Sequence, residues 1–172
     1  MGYTTDFDGE FHLDKPLKEE HRLYLEKFSE TRRMKRNEFK TALLEDDTRK
    51  AVGLPVGEDG CFYVGGEGLR GTHDGGDVVD YNAPPNGQPG LWCQWVPSED
   101  GAAIAWDGSE KFYHYVDWLE YIIDSFLVPW GYVLNGEVSY CGEGSDDRGV
   151  ICCKDNVVTA VQDKIVNESP FK

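Results

Sequence analysis

The sequence lacks a long apolar segment. A membrane-spanning helix needs about 20 consecutive apolar residues, and the longest apolar stretch here is interrupted by Asp117, Glu120 and Asp124. The first residues also lack the basic and apolar regions of a signal peptide, and Asp6 stands where a myristoylation signal has Ser or Thr. We therefore predict a cytoplasmic protein that has no membrane partner.

Cysteine spacings that are typical of metal sites or disulfide frameworks are also absent from the sequence. The cysteines are odd in number and form no Cys-x-x-Cys motif: Cys61, Cys93, Cys141, Cys152 and Cys153. Cys152 and Cys153 are adjacent, so they point to opposite faces if they lie in a strand. This pattern predicts free thiols that act as small apolar side chains, no metal site, and a reducing compartment.

The sequence contains no recognisable catalytic or cofactor-binding signature. The four histidines have no triad context: His12, His21, His73 and His114. The segment 65–71 is glycine-rich, but it lacks the Gly-Lys-Ser/Thr of a P-loop and the spacing of a dinucleotide fingerprint. We therefore expect no cofactor, and a non-enzymatic protein is favoured over an enzyme.

Basic residues become scarce after residue 50. Residues 1–50 hold 11 basic and 12 acidic residues, whereas residues 51–172 hold 6 basic and 20 acidic residues, and the formal net charge of the chain is −15. Repulsion from phosphates therefore opposes direct nucleic-acid binding by the acidic part. The charge either serves solubility alone or meets a basic protein surface.

The first half of the chain predicts a strand and two helices. Alternation over 3–13 predicts a half-buried strand with Tyr3, Thr5, Phe7, Phe11 and Leu13 on one face and Thr4, Asp6, Asp8, Glu10 and His12 on the other. An apolar stripe at helical spacing follows at Leu17, His21, Tyr24, Leu25 and Phe28. We predict that this helix ends in the basic run 32–36 and that a shorter helix follows around Phe39, Leu43 and Leu44.

The second half predicts strands around one main helix. The segment 65–90 has eight glycines and three prolines, which predicts a long, functional surface loop. Strands at 91–96 and 102–106 then form a hairpin, and the main helix runs from 116 to 127, where Pro129 stops it. Three short strands follow near 133–142, 149–154 and 157–162, although Asn135-Gly136 leaves a further tight hairpin open.

These elements predict the α+β class. Strands joined by hairpins do not form a doubly wound parallel sheet, so we predict an antiparallel or mixed sheet of ferredoxin-like type with helices packed on one face. The length predicts a single acidic domain over 1–172.

The sequence also resembles a known family. The blocks are Gly2-Tyr3-Thr4-Thr5, the run 28–34, Asp80-Tyr81-Asn82, Leu91-Trp92-Cys93-Gln94-Trp95, the run 106–113 and Leu134-Asn135-Gly136-Glu137. They are similar to a family of small bacterial and bacteriophage proteins, relative to which 37–60 looks like an insertion. The resemblance implies a prokaryotic or viral origin, and it carries over no activity and no catalytic residue.

Acidic residues in predicted loops are the candidates for partner binding. Asp74, Asp77 and Asp80 lie in the long loop, and Asp146 and Asp147 lie in a turn between strands. Loops expose such residues, so we predict that these five carboxylates face a basic partner. The spacing of the first three differs from an EF-hand, so calcium binding is disfavoured.

A basic cluster is a second, weaker candidate. Arg32, Arg33, Lys35 and Arg36 could hold a phosphate group, because guanidinium groups bind phosphate in a bidentate manner. The alternative is a solvated helix end. No interleaved aromatic residues indicate a nucleic-acid surface here.

The favoured function is therefore an acidic accessory or inhibitory protein that binds a basic protein surface, with mimicry of DNA as its extreme form. One alternative is a small enzyme that uses a metal or nucleotide in the loops 65–90. Another is an assembly protein that associates with its own copies through a sheet edge.

Overall fold

A computed structural model describes residues 2–65 and 76–162 of the chain. The strands are β1 Asp6–Leu13, β2 Lys35–Arg36, β3 Val78–Asp80, β4 Trp95–Pro97, β5 Ala103–Trp106, β6 Leu134–Cys141, β7 Arg148–Lys154 and β8 Val157–Gln162. The helices are α1 Glu19–Glu30, α2 Glu38–Thr41, α3 Asp47–Ala51, a 3-10 turn Glu58–Gly60, α4 Tyr115–Ile122, a π-helical turn Ile123–Leu127 and α5 Val128–Trp130. No helix in these two segments has the length and apolar character to cross a bilayer.

The main sheet has six strands in the order β4-β5-β1-β6-β7-β8, and every neighbouring pair is antiparallel. The short strands β2 and β3 form a second, two-stranded sheet. The predicted α+β class with an antiparallel sheet is confirmed. The predicted hairpin after the long loop is β4–β5, and the three predicted C-terminal strands are β6, β7 and β8.

The central pair β1–β6 sets which side chains meet on each face of the sheet. Its register places Phe11 opposite Gly136 and Gly9 opposite Val138. A Cβ on Gly9 would lie 2.9 Å from the Glu137 carbonyl oxygen, and the φ of Gly9 is +111°. Glycine is required there because other residues rarely adopt that backbone and would clash. Phe11 and Val138 each lie opposite a glycine, and both side chains pack into the core.

The core lies between one face of the sheet and the helices. Phe11, Val138 and Ile151 from the sheet share a buried cluster with Phe28 of α1 and Leu119 of α4. The predicted apolar face of α1 is confirmed, because His21, Tyr24, Leu25 and Phe28 are buried. On the main helix, Leu119, Ile122 and Ile123 are buried against the same core. Since all these side chains meet on one face, the opposite face of the sheet is left without a helix among the described residues.

The main helix differs from its prediction at the C-terminal end. It passes into the π-helical turn and then into α5, which includes Pro129. Proline is tolerated in the first turn of a helix, where its missing N–H has no partner to lose. The prediction that Pro129 stops the helix is therefore wrong, and the chain turns instead at Gly131, whose φ is +90°.

The shorter helix predicted around Phe39 is present as α2, although Phe39 and Leu43 are 78% and 87% exposed and add nothing to the core. The tight hairpin that the sequence left open at Asn135-Gly136 does not form, because both residues pair with β1 inside the long strand β6. The predicted end of helix α1 in the basic run is wrong, because the helix ends at Glu30 and Thr31 already has an extended backbone. Strand β3 also lies within the segment 65–90, which was predicted to be a loop.

Candidate functional site

Asp77 is the predicted partner-binding residue that the structure places in the interior. It is 4% exposed. Its Oδ2 accepts hydrogen bonds from Arg36 Nη1 at 2.8 Å and from the Thr41 hydroxyl at 2.7 Å. Burial acts to raise the pKa of Asp77, but the Thr41 and Arg36 hydrogen bonds outweigh burial and lower the pKa below its usual value. The prediction that Asp77 offers an exposed charge is therefore wrong.

The other predicted aspartates fall into three situations. Asp74 lies outside the described residues, as does His73. Asp80 is exposed, and its Oδ1 accepts the backbone N–H of Asn82 at 2.9 Å in a local turn. Asp146 is exposed and Asp147 is half-buried in the turn between β6 and β7. The Tyr3 hydroxyl donates to Asp147 Oδ2 at 2.5 Å, so this carboxylate is already held by the chain.

The basic cluster does not form a phosphate site on the surface. Arg33 and Arg36 are 2% and 5% exposed, and Arg36 is paired with Asp77. Arg32 lies over the Tyr81 ring at 4.0 Å from its centroid and donates to the Tyr81 carbonyl. Lys35 Nζ lies 3.8 Å from an Asp59 oxygen. The four cations diverge: Arg33 and Arg36 are buried on either side of a register irregularity between Lys35 and Arg36, whereas Arg32 and Lys35 are only half-buried.

The open face of the main sheet carries the carboxylates that the loop-based prediction missed. Asp6, Asp8 and Glu10 are exposed on alternate positions of β1, and Glu137 is exposed on β6. We call these four residues the acidic face. Alternate residues on a strand are about 6.6–6.8 Å apart, so the three β1 carboxylates form a row with that spacing.

Glu10 and Glu137 lie directly opposite each other in the β1–β6 ladder. Like charges that face each other across two strands destabilise a sheet by roughly 0.2–1 kcal/mol. His12 Nδ1 lies 3.8 Å from Glu10 Oε2, and both side chains are at least half exposed. The described residues provide no Lys or Arg ion pair for any carboxylate of the acidic face. The acidic face can therefore accept a cationic group.

A groove of about 660 Å³ adjoins the acidic face on the same side of the sheet. It runs over β6, β7 and β8 and includes Glu137, Val150, Cys152 and Val161, with Arg148 at the end where β7 begins. The Cys152 Sγ lies 3.8 Å from Glu137 Oε2. Burial, together with the Glu137 charge and hydrogen bond, raises the pKa of the Cys152 thiol, so this side chain stays neutral. The groove is thus mainly apolar and has a carboxylate on one edge.

A second group of carboxylates lies on the opposite side of the molecule. Asp117, Glu120 and Asp124 are exposed along α4 and the π-helical turn, and they border a cleft of about 460 Å³ that also includes Gln88. Between residues 91 and 140 the sequence has eight acidic residues and a single basic one, Lys111. Within 2–65 and 76–162, no three His, Cys, Asp or Glu side chains come together as a metal site.

Comparison of the chain with models of known protein families, with curated protein sequences and with solved structures gives no significant match. The family resemblance of the sequence therefore stays a prediction.

Proposed function

We propose that this protein is a non-enzymatic accessory or inhibitory protein of bacterial or bacteriophage type, and that it binds a basic protein surface through the acidic face. The observation that supports this proposal most directly is the Glu10–Glu137 pair. A sheet gains nothing in stability from two opposed carboxylates, whereas a bound Lys or Arg side chain would bridge them and remove their repulsion.

The placement of the acidic face also favours a macromolecular partner. The four carboxylates are exposed on an open face of the sheet rather than enclosed in a pocket. Asp146 and Asp147 lie at the end of the same strands, in the β6–β7 turn, and extend the negative charge in that direction. With a net charge of −15, the protein would attract a basic partner from a distance and speed its association.

The test compares two variants that change the charge equally. The face variant is Asp6→Asn/Asp8→Asn/Glu10→Gln/Glu137→Gln. The control variant is Glu99→Gln/Asp117→Asn/Glu120→Gln/Asp124→Asn, which removes four exposed carboxylates from the other side of the protein. Binding of an octalysine peptide is measured by titration calorimetry at several salt concentrations.

We expect the face variant to bind octalysine more weakly and with a smaller salt dependence than the control variant. Exposed charge pairs are screened over ~8–10 Å at physiological salt, so the wild-type affinity should fall as salt rises. The cellular partner is sought by affinity capture from the cells that encode the chain, with both variants run in parallel. A basic protein that salt releases from the wild type and from the control variant, but that the face variant fails to retain, would support the proposal. Equal binding of octalysine by the two variants would contradict it.

A further inference from the structure

The apolar groove beside the acidic face has exposed valines that the core does not use. Val150 on β7 pairs with Val161 on β8, so both point to the open side of the sheet. Val161 is 57% exposed and Val157, four residues before it on β8, is 65% exposed. Neighbouring strands lie about 4.8 Å apart, so Val150, Cys152 and Val161 lie close together. Thr159, opposite Cys152, separates Val161 from Val157, and Lys154 lies opposite Val157. We call Val150, Cys152, Val157 and Val161 the apolar strip.

The apolar strip and the acidic face lie side by side at a fixed distance. Strand β6 separates β1 from β7, so the row of carboxylates lies about 10 Å from β7 and about 14 Å from β8. An α-helix with its side chains is about 10–12 Å across. A helix that lies on β7 and β8 can therefore place one flank beside Glu137 on β6, and long Lys or Arg side chains on that flank can extend towards the β1 carboxylates.

We propose that the open face binds an amphipathic basic helix of a partner protein, with the apolar stripe of the helix in the groove and its Lys or Arg flank against the acidic face. This inference rests on the proposed function and names the shape of the partner. A helix fits better than a strand, because a strand would add to a sheet edge through its backbone, whereas this surface offers side chains in the middle of the sheet.

The length of the strip sets the length of the helix. From Val157 to Val161 the strip spans four residues of β8, or about 13 Å at 3.3 Å per residue. A helix that rises 1.5 Å per residue covers that distance with about nine residues, which is two to three turns. Arg148 and Lys154 lie at the two ends of β7. Because both would repel the basic flank of the partner helix, that flank has to face β1.

The test uses two peptides and two variants. The first peptide is an 18-residue helix of Leu and Lys with one apolar stripe, and the second has the same composition in an order that abolishes the stripe. The variants are Val161→Asp in the groove and Val79→Asp on β3, where the valine is 62% exposed. Each variant adds one negative charge, so attraction for a basic peptide by charge alone would rise equally in both.

The striped peptide should bind the wild type at least about tenfold more tightly than the scrambled peptide. Val161→Asp should weaken binding of the striped peptide about tenfold, as loss of one buried valine contact does, while Val79→Asp should not weaken it. Octalysine binding should be no weaker in either variant. This pattern, measured by calorimetry, would establish the groove as the apolar half of the site.

Two results would overturn the inference and leave the proposed function intact. One is equal affinity for the two Leu/Lys peptides, or equal effects of Val161→Asp and Val79→Asp, while octalysine still distinguishes the face variant from its control. The other is a wild-type dimer in analytical ultracentrifugation that Val161→Asp converts to a monomer, since a second copy would then occupy the groove. If octalysine does not distinguish the face variant from its control, the proposed function itself fails.

Discussion

At the scale of single residues, Arg33 carries a charge into the core. Its Nη2 donates to the carbonyls of Cys61 and Tyr63 at 2.9 and 2.8 Å, and its guanidinium carbon lies 4.2 Å from the centroid of the Phe28 ring. Among the described residues, Nε and Nη1 have no hydrogen-bond partner and no carboxylate forms an ion pair with Arg33. Burial lowers the pKa of the guanidinium accordingly. Arg49, by contrast, is buried beside Asp46, with Nε 2.7 Å from Oδ2.

This contrast predicts that two buried arginines respond differently to replacement by methionine. Arg49→Met leaves Asp46 as an unpaired buried charge and should lower the free energy of unfolding by about 3–5 kcal/mol. Arg33→Met removes a buried charge that lacks a carboxylate, and Gln88 Nε2 still donates to the Cys61 carbonyl at 2.7 Å. Arg33→Met should lower the free energy of unfolding by no more than about 1 kcal/mol, since relief of the buried charge offsets the lost hydrogen bond to the Tyr63 carbonyl. Urea denaturation measures both losses. An equally large loss for Arg33→Met would show that Arg33 has an anionic partner.

His21 should make stability depend on pH. Its ring stacks on Trp130 at 4.0 Å, and its Nδ1 lies 2.7 Å from the Tyr132 hydroxyl, which already accepts the backbone N–H of Lys18. Burial lowers the pKa of His21, so the unfolded chain binds the proton more readily than the folded one. The free energy of unfolding should therefore fall as pH decreases from about 6.5, the unfolded value, towards the lower folded value.

The variant His21→Phe should lose this part of the pH dependence, because it keeps an aromatic ring against Trp130 and cannot titrate. The measurement is the slope of the unfolding free energy between about pH 7 and pH 5. A His21→Phe slope equal to that of the wild type would contradict this dependence on His21.

At the scale of secondary-structure elements, the β1–β6 ladder should contain a measurable repulsion. Glu10→Gln and Glu137→Gln should each raise the free energy of unfolding by roughly 0.2–1 kcal/mol, because either change removes the opposed like charges. The double variant should gain less than the sum of the two single gains, since the repulsion can be removed only once. Asp8→Asn, which lies opposite Ser139, serves as the control and should gain less. Strict additivity in urea denaturation would show that the two carboxylates do not interact.

The same elements show how far local sequence patterns determine the structure. Strand β1 and the buried faces of α1 and α4 follow from periodicity, because their packing repeats over several residues. Strands β2 and β3 have two and three residues, too few for any alternation to show. The π-helical turn has the same spacing of apolar residues as an ordinary helix, so the sequence does not distinguish the two. The end of α1 was misplaced because the basic run suits a helix terminus, whereas the burial of Arg33 and Arg36 depends on tertiary contacts.

At the scale of the whole molecule, the fold class follows from the order of elements, but the acidic face does not. The alternation in β1 already puts Asp6, Asp8 and Glu10 on one side. Glu137 lies opposite Glu10 because of the register between β1 and β6. These strands are far apart in sequence, and no local pattern specifies their register. The loop aspartates are predicted as partner-binding residues because loops are usually exposed. Asp77 is an exception, because its ion pair with Arg36 holds it in the interior. Composition alone could not assign the negative charge to a face.

Thiol chemistry offers a test of the overall packing. Burial raises the pKa of Cys93 to about 12 and that of Cys153 to about 11, whereas Cys141 is exposed. All five cysteines are free. With iodoacetamide near pH 8, Cys141 should react fastest, and Cys93 and Cys153 should react only on unfolding. Mass spectrometry of the unreduced, alkylated protein locates the modified residues. A stoichiometric disulfide, or early labelling of Cys93, would contradict this packing and the predicted reducing compartment.

The carboxylates of the acidic face should affect both the stability of the protein and its binding. If the acidic face serves to bind a partner, its carboxylates lower the free energy of unfolding of the unbound protein. The face variant should then be more stable than the wild type and bind octalysine more weakly. The control variant removes the same charge from α4 and from the β4–β5 turn, where no directly opposed carboxylates are relieved, so its gain in stability should be smaller. Added salt should narrow the difference, because it screens the repulsion in the wild type. Thermal unfolding at low and high salt, with calorimetry on the same samples, measures both properties. A face variant that is less stable than the wild type would mean that these carboxylates stabilise the sheet, and the case for a binding surface would lose its physical basis.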